Sequence, residues 1–168
     1  KRLVKDFKHV YCFEPLEKHI ECWHKNVTKE FNNVDIYDVA LSDVEGTSEM
    51  TVPFKNSGMS TLNYHEYVPN DYIKQDVQTK TLDSYDFDKI DFIKIDVEEH
   101  EYNVLRGAQK TIEKYKPIIY IELNDLHATV FIAALNIGYK LIGQCGMNRL
   151  FKCNTVVEDL QELLKTQK

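Results

Sequence analysis

Residues 91–108 constrain the fold most, because they change from a strand pattern to a helix pattern across a run of acidic residues. The first part is rich in β-branched and aromatic residues, and apolar residues then recur at helical spacing from Val104 to Ile112. Acidic residues in a first helical turn meet the positive end of the helix dipole, which accounts for Glu98, Glu99 and Glu101. Asp96 instead lies where the strand ends, and open parallel sheets bind ligands beyond such strand ends.

Strand and helix patterns alternate along the rest of the chain, which predicts an α/β fold with a mostly parallel sheet and helices on both faces. Strands are predicted over 9–13, 34–41, 47–54, 73–82, 92–97 and 118–121, with an antiparallel closing hairpin over 139–142 and 149–153. Helices are predicted over 15–29, from the acidic run to residue 116, and over 128–135. We therefore expect one domain over 1–155 with a hairpin insertion over 47–82, followed by a helix or tail over 156–168.

Composition excludes several function classes. The chain has 168 residues and a net charge of −6, which argues against a nucleic-acid binder, since such a protein would show a basic face. No apolar run approaches the roughly 20 residues of a membrane span. The four cysteines form no CxxC pair, which favours free thiols in a reducing, cytoplasmic setting. His19, Cys22 and His24 do not share one helical face, so no metal site is predicted.

Polar residues close several of the predicted strands and indicate one ligand-binding rim. Carboxyl ends of parallel strands meet at one edge of a sheet, where the crevice lies. The residues concerned are Glu14, Ser42, Asp96 and Glu122. The hairpin tip over 56–62, with the tyrosines that follow it, is either a specificity element or lid, or a solvated loop whose tyrosines pack on the body.

Six short motifs occur in the order and spacing of FkbM-family methyltransferases, which the chain resembles over about residues 7–153. They are Tyr11-Cys-Phe-Glu-Pro15, Ala40-Leu-Ser-Asp43 with Gly46, Thr81-Leu-Asp83, residues 91–98 with Glu101, residues 104–108, and residues 117–122. The resemblance implies a Rossmann-like fold that binds S-adenosylmethionine. It also implies transfer of a methyl group, most often to a hydroxyl of a sugar, glycan or small natural product. The oligomeric state stays open.

The resemblance also implies roles for individual residues. Glu14 would accept hydrogen bonds from the cofactor ribose, and Asp96 would lie near the methionine end and orient or deprotonate the acceptor hydroxyl. Glu98 would support that rim, and His100 is an alternative base. The remaining cofactor candidates are Pro15, Ala40, Leu41 and Ser42, and the acceptor-binding candidates are Ser57, Ser60, Thr61, Glu122 and Asn124.

Two departures from the family pattern carry expectations of their own. The family has Gly after the residue matching Glu98, whereas Glu99 and His100 follow here, and a residue with a Cβ tolerates positive φ poorly. The family also has a first strand and a Gly-rich turn before the ribose-binding acid, and Glu14 lies too near Lys1 to allow them. We expect an N-terminal segment upstream of Lys1. The open alternatives are a segment supplied by a partner chain and a degenerate relative that binds no cofactor.

Other function classes remain as alternatives to the methyltransferase. A non-catalytic domain would keep the fold and lack cofactor binding, and the fold alone does not exclude it. An aspartyl-phosphate signalling module would use Asp96, but it needs a Lys after a later strand, where Glu122 stands. A nicotinamide oxidoreductase would also place Glu14 on a ribose, but it too requires the glycine turn.

Overall fold

The computed structural model describes residues 2–63, 71–123, 132 and 138–154. It is an α/β fold with mixed sheets. In the described residues, no helix is long and apolar enough to cross a membrane. The predicted helix over 128–135 and the tail over 156–168 lie outside the described residues, apart from Ile132, which is buried in a helical position.

The elements follow the predicted order with different boundaries. The helices are α1 (Arg2–Asp6), α2 (Glu17–Trp23, continued by a π turn over His24–Thr28), α3 (Glu101–Arg106) and α4 (Gln109–Tyr115), and 3-10 turns cover Ser57–Met59 and Leu82–Ser84. The strands are β1 (Val10–Phe13), β2 (Val34–Tyr37), β3 (Ala40–Leu41), β4 (Gly46–Pro53), β5 (Tyr72–Lys80), β6 (Phe92–Ile95), β7 (Ile118–Glu122), β8 (Tyr139–Cys145) and β9 (Asn148–Cys153).

The described strands form three sheets. β1 and β2 make a parallel pair, β5 lies between β3 and β4, and the third sheet has the order β6-β7-β9-β8. Among the described strands, three pairs are parallel (β1–β2, β3–β5 and β6–β7) and three are antiparallel, so the sheets are mixed and the predicted mostly parallel sheet is not confirmed. The predicted pairing of the two strands over 47–82 is confirmed by the antiparallel β4–β5 pair, and the predicted closing hairpin by β8–β9.

The largest core packs β6 and β7 against α3 and α4. Ile119, Ile121, Leu105 and Ile112 are completely buried there. The helical spacing of the apolar residues after the acidic run therefore identified the core face of these helices. A second cluster lies under the β3-β5-β4 sheet and a third near α1 and β2.

Two predicted elements are each divided by a tertiary contact. The strand predicted over 34–41 is two strands, because the chain leaves the β1–β2 pair after Tyr37 and joins β5 at Ala40. The helix predicted up to residue 116 is interrupted at Gly107, where a Cβ would lie 2.0 Å from the carbonyl oxygen of Ser42. The predicted start of α2 at Pro15 is also wrong, since Leu16 is its N-cap.

Asp83 caps a helix that is distant in sequence. Its two carboxylate oxygens accept hydrogen bonds from the N–H groups of Lys110 (2.9 Å) and Thr111 (2.8 Å). These are the second and third positions of α4, whose own N-cap residue, Ala108, has no side chain able to accept. The Asp83 N–H also donates to the carbonyl of Gly107, which ties the turn to the helix break.

Replacing Asp83 by Ala should lower the free energy of unfolding by about 0.5–2 kcal/mol, because two N–H groups of α4 would lose their acceptor. Urea denaturation measures the change. Asp88→Ala, which removes an exposed carboxylate from the following loop, is the matched control and should have a smaller effect. Equal stability of the two variants would contradict the capping role.

Candidate functional site

Glu14 lies directly after β1, at the edge where the parallel strand β2 also ends. Its N–H donates to the carbonyl of Tyr37, so the residue continues the parallel pairing by one step. One carboxylate oxygen, Oε1, accepts from the N–H of Leu16 at 3.0 Å, and the other, Oε2, lies 3.2 Å from His19 Nδ1. The carboxylate is thus held at a strand end while its side chain remains 24% exposed.

The acceptor capacity of Glu14 is only partly used by the protein. A carboxylate offers about four lone-pair positions, and the contacts to Leu16 and His19 use one on each oxygen. With respect to the described residues about two positions remain, which equals the number of hydroxyl groups on the edge of a ribose. The residue is therefore suited to bind a vicinal diol.

A second group of carboxylates lies at the ends of β6 and β7. Ile95 pairs with Ile121 in parallel register, so Asp96 and Glu122 are the next residues at the same end of adjacent strands. Asp96 forms an ion pair with Lys94, and both side chains are about 40% exposed (39% and 40%). Burial raises the pKa of Glu98, and so do three neighbouring charges, those of Asp96, Glu122 and Glu99. The structure thus brings Asp96, Glu98 and Glu122 together.

The loop between β6 and α3 is in an unusual backbone conformation. Glu98 has φ = 50° and Glu99 has φ = 71°, values in the left-handed region that L-residues with a side chain rarely adopt. Glu99 occupies the position at which positive φ was expected to be unfavourable. The loop keeps the left-handed geometry without a glycine and carries the associated conformational cost.

Glu99→Gly should raise the free energy of unfolding by about 1 kcal/mol, because glycine adopts positive φ without a steric penalty. Glu99→Ala is the matched control, since it removes the same carboxylate and keeps the Cβ. We expect Gly to be more stable than Ala in chemical denaturation. If the two variants were equally stable, the backbone strain at this position would be negligible.

Glu101 supports this loop from the interior. Its side chain is 1% exposed, and its Oε1 accepts from the N–H groups of Val97 (3.4 Å) and Glu99 (3.3 Å). Within the described residues its Oε2 is buried without a hydrogen-bond partner. Burial raises the pKa of Glu101, although hydrogen bonds from its own N–H group and from those of Val97 and Glu99 oppose the shift. Glu101 thus satisfies the backbone of the strained loop and favours its neutral form.

The raised pKa of Glu101 makes stability depend on pH. A group with a raised pKa in the folded state contributes stability below its unfolded pKa, and this contribution is lost as the pH rises through the folded pKa. Glu101→Gln replaces the carboxyl by a neutral group of the same shape. Its free energy of unfolding should fall less than that of wild type as the pH rises above the ordinary pKa of a glutamate.

Urea denaturation at several pH values measures this dependence. Glu98→Gln is the comparison, because the Glu98 side chain is less buried and its pKa is also raised. We expect it to flatten the pH profile less than Glu101→Gln. Parallel profiles for wild type and Glu101→Gln would show that Glu101 does not change protonation on unfolding.

His100 is a buried connection between three segments. Its Nε2 lies 3.0 Å from Ser42 Oγ, and its Nδ1 lies 3.4 Å from Asn63 Oδ1. Burial lowers the pKa of His100, which favours the neutral ring, although the charge of Asp43 opposes the shift. The Ser42 hydroxyl is also 3.2 Å from Asp43 Oδ1. The residue predicted as an alternative base therefore has both ring nitrogens within reach of protein groups.

Residues 57–63 contact both groups of candidate residues. Ser57 Oγ lies 2.8 Å from His19 Nε2, next to Glu14, and Thr61 Oγ1 donates to the carbonyl of Glu98 at 2.5 Å. Asn63 donates to the carbonyl of Glu99. Ser57 and Thr61 are four residues apart, so at most roughly 14 Å separates their Cα atoms. This segment limits the distance between the Glu14 region and the acidic loop.

The structure places the other predicted site residues, apart from Asn124, as follows. Thr61 is buried and forms a backbone bridge with Thr51, and Ser60 Oγ donates to the carbonyl of Ser57. Pro15, which follows Glu14, and Leu41 in β3 are half-buried. Ala40 in β3 and Ser42, which follows β3, are buried. Asn124 lies outside the described residues. Sequence reasoning missed His19 as a partner of Glu14 and Asn63 as a partner of His100, since these contacts join residues from separate elements and have no local signal.

The comparisons with known proteins agree with this architecture. The sequence matches the family described as the Methyltransferase FkbM domain over residues 2–148. A similar solved structure is that of methyltransferase FkbM from Methylobacillus flagellatus KT, with a TM-score of 0.56 and 18% identity. The similarity covers 87% of this chain and 36% of that chain, so this chain spans about a third of the neighbour's length. No curated protein matches.

Proposed function

The chain belongs to the FkbM methyltransferase family, and on that basis we propose that it binds S-adenosylmethionine and methylates a hydroxyl group. The observation that carries the proposal is Glu14, a strand-end carboxylate on which the described part of the chain leaves about two acceptor positions unused. The bound cofactor supplies an activated methyl group. The acceptor we propose is a sugar, a glycan or a small natural product.

The residues around Glu14 fit such a cofactor. Glu14 would accept hydrogen bonds from the two ribose hydroxyls, since ionised acceptors make the stronger hydrogen bonds. Pro15 follows it, and Ala40, Leu41 and Ser42 would flank the adenine. The short span of residues 57–63 supports one small ligand reaching both Glu14 and the acidic loop.

Asp96 would act on the acceptor. It lies at the end of β6 with a partly exposed carboxylate that already pairs with Lys94. It would orient the hydroxyl or accept its proton, and both roles require hydrogen-bond reach. Glu98 would support it, and His100 is the alternative base. Displacement at a methyl group also gains much from positioning, so the arrangement of these groups matters alongside their basicity.

The acceptor would lie against the hairpin segment and the end of β7. Ser57, Ser60, Thr61 and Glu122 carry hydroxyl or carboxylate groups that suit a polyhydroxylated compound, and Asn124 is proposed with them. No disulfide joins the four cysteines, all of which lie in the part of the chain that the structure describes, and this supports a reducing, cytoplasmic compartment.

Calorimetric titration of S-adenosylhomocysteine into the folded protein tests cofactor binding. We expect a single site, and Glu14→Ala should weaken binding by about 1–3 kcal/mol because hydrogen bonds to a charged group are lost. Asp35→Ala, which removes an exposed carboxylate from β2, is the control. Wild type that is folded and fails to bind would favour the non-catalytic domain.

Asp96→Asn should lower turnover by about 10²-fold or more while cofactor affinity changes little. Methyl transfer from labelled S-adenosylmethionine to a panel of hydroxylated acceptors provides the measurement. Asp91→Asn, at the exposed position before β6, is the matched control and should keep its turnover. Unchanged turnover in Asp96→Asn would exclude it from the mechanism.

A further inference from the structure

His19 connects Glu14 to the hairpin segment, residues 57–63. Its Nδ1 lies 3.2 Å from Glu14 Oε2, and its Nε2 lies 2.8 Å from Ser57 Oγ. His19 belongs to the first turn of α2, whereas Ser57 opens a 3-10 turn 38 residues away in sequence. The side chains of His19 and Glu14 are 29% and 24% exposed, so this pair is shielded more than a typical surface ion pair.

The hydrogen-bonding roles follow from the chemistry of the three groups. An ionised carboxylate only accepts hydrogen bonds, so His19 Nδ1 carries the hydrogen that faces Glu14. In a neutral ring Nε2 is then an acceptor and takes the hydrogen of the Ser57 hydroxyl. Torsion about the last side-chain bond of a glutamate is broad. The contacts from Leu16 on one oxygen and His19 on the other therefore fix the plane of the Glu14 carboxylate.

The same order of groups occurs in Ser-His-acid triads that transfer acyl groups. Such a site needs N–H groups beside the serine that point to the developing oxyanion. Here the N–H of Gly58 donates to Asn56 Oδ1 at 3.3 Å, and the N–H of Ser60 donates to the carbonyl of Ser57 at 3.3 Å. Neighbouring donors are thus used within the turn, which favours a positioning role over a nucleophilic one.

We propose that His19 is a positioning residue that sets the orientation of Glu14 for the cofactor and links it to the docking of residues 57–63. This inference rests on the proposed binding of the cofactor ribose by Glu14. The same segment holds the acidic loop through Thr61 and Glu98. Binding of the cofactor and docking of the segment therefore stabilise each other, and by linkage the effect is reciprocal.

Three variants separate the two contacts of His19. In His19→Asn the amide nitrogen takes the place of Nδ1, so the contact to Glu14 remains and that to Ser57 is lost. In His19→Gln the longer amide takes the place of Nε2, so the contact to Ser57 remains and that to Glu14 is lost. Ser57→Ala breaks the bridge from its other end and leaves α2 unchanged. His9→Asn, at the exposed pair of His9 with Asp35 (2.9 Å), is the matched control.

The experiment combines calorimetric titration of S-adenosylhomocysteine with hydrogen exchange of the amides of residues 57–60. In wild type and His9→Asn, the ligand should bind equally well and slow exchange in this segment. His19→Gln should bind about tenfold more weakly, because a hydrogen bond to a charged group is lost. In His19→Asn, His19→Gln and Ser57→Ala, saturating ligand should no longer slow hydrogen exchange of the amides of residues 57–60.

Each contrary result has a distinct meaning. If Glu14→Ala weakens binding while the His19 variants bind and protect the segment like wild type, His19 does not position Glu14 and the proposed function stands. If folded wild type fails to bind, both proposals are overturned. Labelling of Ser57 by a fluorophosphonate probe, lost in His19→Gln, would overturn positioning in favour of a nucleophilic serine.

Discussion

The left-handed loop between β6 and α3 is the constraint on which the candidate site depends. Glu98 and Glu99 have positive φ, so the chain turns sharply after Asp96. Buried backbone groups must find partners, and the loop finds them on two sides. Glu101 accepts from Val97 and Glu99 in the interior, and the hairpin segment donates to the carbonyls of Glu98 and Glu99. The strained conformation persists because surrounding residues bind it from both sides.

The same contacts explain how distant parts of the chain reach one site. Gly107 permits α3 to approach the carbonyl of Ser42, because any Cβ there would collide with it. His100 then reaches Ser42 on one side and Asn63 on the other. These contacts join the β3 end and the hairpin, which share one sheet, to the acidic loop, which follows β6 in another sheet. Backbone proximity and a few buried polar groups hold the site, and the apolar core lies beneath it.

The two groups of candidate residues differ in how the protein holds them. The Glu14 carboxylate is fixed by Leu16 and His19, which suits a group that must present acceptors to a ligand. The acidic group instead places Asp96, Glu98 and Glu122 near one another, which raises the pKa of Glu98. Among the described residues, the cation that pairs with Asp96 is Lys94. The Glu14 region thus holds one carboxylate in fixed hydrogen bonds, whereas the acidic group places several carboxylates close together. Residues 57–63 contact both regions.

Local chemistry by itself determined the strand-to-helix change at Asp96, the apolar faces of α3 and α4, and the two hairpins, because periodicity and turn residues act over short stretches. Strand-end positions also identified Asp96 and Glu122 as neighbours at one sheet edge, whereas Glu14, predicted at the same rim, follows β1 in a different sheet. Tertiary structure decided that residues 34–41 divide between two sheets, that Asp83 caps α4, and that His19 joins Glu14 to Ser57. These contacts join residues far apart in sequence, and such pairings depend on how the elements pack, which local patterns do not encode.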